Sequence, residues 1–159
     1  MATEVRPWAT AQDSRGLAWP LRVSLAQAMK LRAAGKVDLL GTDAARTALQ
    51  AATDPVLLIE IAFILSAAQR AELNVSDEGA FFELFDGDSV QDLIDASVEA
   101  LIDFFQSDRR KALTAIWNRQ KSARNRAIAA VVEKATSAEV LDAIDRAADQ
   151  AADSARVMR

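Results

Sequence analysis

From Val90 to Phe105 one set of residues recurs at the three-and-four spacing of an α-helix: Val90, Leu93, Ile94, Ser97, Val98, Leu101, Ile102 and Phe105. That spacing stacks them on a single face, which needs a second apolar surface to cover it. The opposite face carries Asp88, Asp92, Asp95, Glu99 and Asp103, with no Lys or Arg between Arg70 and Arg109. Like charges at four-residue spacing repel by a few tenths of a kcal/mol per pair. The helix is therefore held by burial of its apolar face. A chain of 159 residues with 51% hydrophobic residues, five Gly and three Pro supplies the rest of such a core and favours helix.

Further along the chain, helix signals follow one another. Ser24 with Gln27 has capping-box spacing, and Gly35 is the stop for "LAQAMKLRAA". "KVDLLG" is a connector, and Asp43 to Ala52 a short Ala-rich helix. Asp54-Pro55 is an N-cap followed by Pro at the first helical position, opening a helix that extends to about Leu73. Its segment "VLLIEIAFILSAA", Val56 to Ala68, is apolar on nearly all sides and reads as the centre of a bundle. It is too short for a bilayer span of ~20 residues and contains Glu60, and "MATEVRPWAT" has no apolar run of a secretory signal. The expectation is a soluble intracellular protein with no membrane partner.

Asn74 ends that helix, and Ser76 is the expected cap of a short one, Asp77 to Phe85, with Phe81, Leu84 and Phe85 on one face. Asp108 to about Ala135 reads as one helix of roughly 40 Å, long against an expected radius of gyration of roughly 15 Å. Thr136 with Glu139 has capping-box spacing, and a last helix extends from Ser137 to about Val157. Residues 1–23 differ. Asp13-Ser14-Arg15-Gly16 is a turn cluster between β-formers, so the segment is a hairpin pairing about Glu4–Thr10 with Leu17–Val23, or else an arm. Pro7 and Pro20 belong at sheet edges.

The resulting fold class is all-α: a helical bundle of about six helices with a small N-terminal β-hairpin and a long charged C-terminal helix. One domain is expected, organised as residues 1–23 (hairpin or arm), 24–106 (helical core) and 107–159 (the long charged helix and an Ala-rich C-terminal helix).

The chain has no Cys, His or Tyr, which removes thiolate nucleophiles, imidazole bases and the usual zinc ligands. Asp86-Gly87-Asp88 suggests a calcium loop until its spacing is followed. Counting from Asp86, the third position is Asp88, but the fifth is Val90, the sixth Gln91 and the twelfth Ser97, where the loop requires an oxygen ligand, Gly and Glu. The triplet is helix punctuation. Glu60 is a carboxylate on a greasy helix, and such a group is more often paired with a cation or reaches the surface. No metal, no cofactor and no catalytic residue is expected.

Arg109, Arg110, Lys111, Arg119, Lys121, Arg124 and Arg126 make the next helix basic. Two solvated faces explain the acid and base stripes; charge-complementary packing, within one molecule or between copies, is the sharper alternative. A single aromatic, Trp117, and a net charge of −4 make nucleic acid an unlikely partner. Trp117 is expected at a bundle seam with Leu113 and Ile116. Along "SAEVLDAIDRAADQAADSARV" the residues Val140, Leu141, Ile144, Ala147, Ala148 and Ala151 form a narrow stripe that buries little by itself and so needs another helix, its own neighbour or a partner. Trp117, Arg119, Arg124, Val140, Leu141, Ile144 and Ala148 are the candidate partner-binding residues.

The order "GLAWPLRVSLAQAMKLRAAGKVDLL", then "DPVLLIEI", "VSDEGAFFELFDGDS" and "ALIDFF" ahead of a basic cluster, resembles the tail assembly chaperone-like proteins of long-tailed bacteriophages and prophages. The likeness covers about Trp19 to Arg110. It implies a mostly helical, non-enzymatic protein of the host bacterial cytoplasm, absent from the finished virion. Such a protein binds the tape measure protein, keeps it soluble and helps tail-tube protein polymerise around it. The resemblance assigns no client-binding residue. A small helical structural or adaptor protein of the same gene environment, and a nucleic-acid-binding regulator, are the alternatives, and homo-oligomerisation is open to all three.

Overall fold

The computed structural model describes residues 8–157. Among them the chain is mostly helical, with eight helices and one two-stranded antiparallel sheet. It divides into two compact units, Met1–Thr114 and Ala115–Arg159.

The first unit opens with the hairpin β1 (Ala9–Gln12) and β2 (Ala18–Leu21), in register Ala9↔Leu21 and Ala11↔Trp19. The strands lie nearer the turn than the spacing of β-formers predicts, and residues 4–7 of the expected first strand lie outside the described residues. Alternation turns Ala9 and Ala11 inward from β1, and Trp19 and Leu21 inward from β2. Pro20 pairs with Thr10 in a two-stranded sheet, where every strand is an edge and a missing N–H is tolerated. Trp19 is fully buried, with Phe81 edge-on at 5.4 Å and Phe85 at 6.1 Å between ring centroids. The hairpin is thus part of the core and not an arm.

Helices α1 (Leu25–Ala33), α2 (Ala44–Ala51) and α3 (Pro55–Leu65) follow. Only half of the expected capping box forms on α1. Ser24 accepts from the Gln27 amide at 3.3 Å, but Gln27 Oε1 is buried without a hydrogen-bond partner. Asp54 caps α3 by accepting from the Leu57 amide at 3.1 Å, and Pro55 opens the helix.

The helix expected to reach Leu73 breaks at Ser66 and resumes as α4 (Ala67–Glu72). At the break the Phe63 carbonyl accepts from Ser66 Oγ at 3.1 Å and from Arg70 Nε at 3.0 Å, and the Arg70 guanidinium lies 3.6 Å over the Phe63 ring. These side-chain donors stabilise the bend locally, which a propensity count does not register. Asn74 then turns the chain at φ 56°, a left-handed position that Asn tolerates.

Asp77, not Ser76, caps α5 (Glu78–Phe82), accepting from the Ala80 amide at 2.9 Å. Asp86 is the extended N-cap of α6 (Gly87–Asp103), its own N–H donating to Ser89 Oγ at 2.7 Å, with Gly87 at φ +46°. Helix α6 is the hub of this unit. It packs on β1 and α3 most extensively, and also on α2 and β2. It buries Leu93, Val98, Leu101 and Ile102 together with the small Ala96, Ser97 and Ala100, and the Ser97 hydroxyl is satisfied by the Leu93 carbonyl at 2.7 Å. Helix α3 buries Leu58, Ile61, Ala62 and Leu65, but Val56 is 67% exposed. The greasiest helix is therefore one wall of the core and not its enclosed centre.

Helix α7 (Ser107–Ala135, 29 residues) starts in the first unit and continues in the second. Leu113 and Trp117 are buried, whereas Ile116 is 41% exposed and does not join them. The Thr136 hydroxyl donates back to the Val132 carbonyl at 2.8 Å, finishing α7, and α8 (Ala138–Val157) follows.

Candidate interaction surfaces

Two stretches of the second unit display apolar side chains. On α8, Val140 is half-buried, Leu141 and Ile144 are 50% and 58% exposed, and Ala147, Ala148 and Ala151 are exposed. At ~100° per residue these six occupy a sector of about 120°. The polar remainder carries Glu139, Asp142, Asp145, Asp149 and Asp153. This is an amphipathic helix whose apolar face is open to solvent.

On α7 the candidates separate. Trp117 is 4% exposed, with the Arg124 guanidinium 5.8 Å from its ring centroid and its own Nε1 buried without a hydrogen-bond partner. Its ring is therefore not presented to an incoming partner, while Arg119 is exposed on a shallow face with Asn118, Ser122 and Arg126. Ile128, Val131 and Val132, outside the candidate set, are 52%, 67% and 54% exposed. Their three-and-four spacing places them on the same side of α7 as Leu113 and Trp117, and that spacing was the available signal.

The first unit holds an open apolar groove of about 270 Å³, with Val56, Ile59 and Glu60 of α3 on one side and Phe82, Phe85, Val90 and Leu93 on the other. Glu60 accepts a 2.6 Å ion pair from Lys36, each side chain about one-third exposed, so the one carboxylate in the wall is neutralised locally. The groove is open at Val56, which lies in the first turn of α3, where a helix end reaches solvent, so Val56 to Ala68 is not enclosed on all sides.

The most heavily hydrogen-bonded carboxylate is structural. Asp13 is buried, and its Oδ1 accepts from the amides of Arg15 (2.9 Å) and Leu17 (3.0 Å). Its Oδ2 accepts from Trp19 Nε1 (3.2 Å) and Arg15 Nη2 (2.8 Å). Burial pushes the Asp13 pKa up, but these bonds from Arg15, Trp19 and Leu17 together outweigh it and hold the carboxyl below its ordinary value. Among the acids of α6, Asp95 accepts from Gln91 Nε2 at 2.9 Å, and Asp88, Asp92, Glu99 and Asp103 are exposed. Among the described residues no three acids gather as a metal-ligand group, and no single helix is long and apolar enough to cross a membrane.

No family model, curated protein or solved structure matches this chain.

Proposed function

We propose that this chain is a non-enzymatic tail assembly chaperone of a phage or prophage. It binds the helical tape measure protein and supports tail-tube assembly in the bacterial cytoplasm, leaving before the virion is complete. The observation that carries the proposal is the open apolar face of α8, with Leu141 and Ile144 half or more exposed on a 20-residue amphipathic helix. Such a face binds another helix by anchors at three-and-four spacing, the mode a long helical client offers repeatedly. The resemblance over Trp19 to Arg110 supplies the identity of the client; the exposed face supplies a means of gripping it.

The test is co-expression with the tape measure protein and tail-tube protein of the same phage or prophage. Full-length protein should hold the tape measure protein in the soluble fraction and co-purify with it. Leu141→Asp combined with Ile144→Asp, and truncation after Ala135, should leave cooperative melting intact and lose the client. Undiminished capture by both variants places the client on the helical body. No capture by the full-length chain refutes the chaperone reading and favours the adaptor role.

A further inference from the structure

We propose that the α3–α6 groove receives the C-terminal part of α7 from a second copy of this chain, with Ile128, Val131 and Val132 as the anchors. The inference stands apart from the tape measure reading. A cavity of ~150 Å³ admits a benzene-sized group, so a groove of about 270 Å³ has room for more than one apolar side chain. Anchors at i, i+3 and i+4 on one helix face fit an elongated apolar slot.

Charge selects this helix. Residues 71–108, which supply one side of the groove and its surroundings, contain eleven acids and no base. Segment 119–135 of α7 carries the exposed bases Arg119, Arg126 and Lys134 against one exposed acid, Glu133. The other exposed apolar helix, α8, has five acids against Arg146 and Arg156, so the same field repels it. Groove and anchor are different surfaces of one chain, so the contact is head-to-tail, and each docked pair still offers one free groove and one free helix.

Sedimentation equilibrium on the full-length chain tests this. The mass should rise with concentration above the 17.2 kDa monomer and fall back in high salt. Val56→Asp on the groove rim and Val131→Asp on the helix both change side chains that are 67% exposed, so folding should survive, as circular dichroism would verify. Each variant alone should associate at least roughly tenfold more weakly, because an unpaired carboxylate is carried into an apolar contact. An equimolar mixture of the two should form a 1:1 dimer, since Val56→Asp keeps its helix and Val131→Asp keeps its groove. Should Val131→Asp melt early, Val132→Asp replaces it. A wild-type chain that stays monomeric overturns the proposal. So does self-association that survives both substitutions, or a mixture that remains monomeric.

Discussion

Replacing Asp13 by Ala tests whether one buried carboxylate fastens the hairpin to the core. The substitution leaves the Trp19 indole N–H without an acceptor inside the Trp19–Phe81–Phe85 cluster. A buried donor stranded in this way costs ~1–3 kcal/mol. The Arg15 and Leu17 amides also lose their acceptor, but the turn is exposed and water replaces most of that bond, adding about 1 kcal/mol. The total is roughly 2–4 kcal/mol, or on the order of 5–15 °C in Tm for a domain of this size.

The sign with pH follows from the lowered carboxyl pKa. A depressed folded-state value means that the stabilisation is present above the unfolded value, 3.8, and is lost as pH falls through the lower folded value. Urea melts followed by circular dichroism, with Trp fluorescence as a second probe, should show the wild type well above Asp13→Ala at neutral pH. The gap should narrow below about pH 4. Asp13→Asn keeps an oxygen for the two amides but sets an NH2 group against the indole or Arg15, and should fall between. Equal melting of Asp13→Ala and wild type at neutral pH, or a gap that does not change with pH, would refute the role assigned to this carboxylate.

Ile61→Ala should destabilise by ~2–5 kcal/mol in chemical denaturation, because Ile61 is fully buried on α3. Val56→Ala on the same helix should cost less than about 0.5 kcal/mol, and comparable losses at both sites would show that the groove is closed core. Gly87→Ala should cost about 1 kcal/mol from its φ of +46° alone, since an added Cβ meets nothing within 4 Å; an unchanged melting midpoint would contradict that backbone geometry.

Much of the helix punctuation was legible locally. Asp54-Pro55, Gly35, Asn74 and Gly87 act through their own backbone angles and nearest amides, so the sequence alone sets those boundaries. The periodicity from Val90 to Phe105 likewise determined which side of α6 is buried. The mostly helical content follows from the same local signals, although the structure has eight helices among the described residues where about six were expected.

Only the tertiary structure made α6, and not the greasier α3, the hub. Hydropathy records how much apolar surface a helix has, whereas the hub is the helix that neighbours surround, and Ala9 and Ala11 of the hairpin are on β1, the strand in most extensive contact with α6. The bend at Ser66, the Lys36–Glu60 pair and the tie of Ser14 to the Leu84 carbonyl likewise join groups whose compatibility no local pattern expresses. The same holds for the surfaces. A sequence shows that Ile59, Phe82, Ile128 and Ile144 are apolar, but whether such a side chain ends up as core, groove wall or open stripe depends on whether the fold places another element against it.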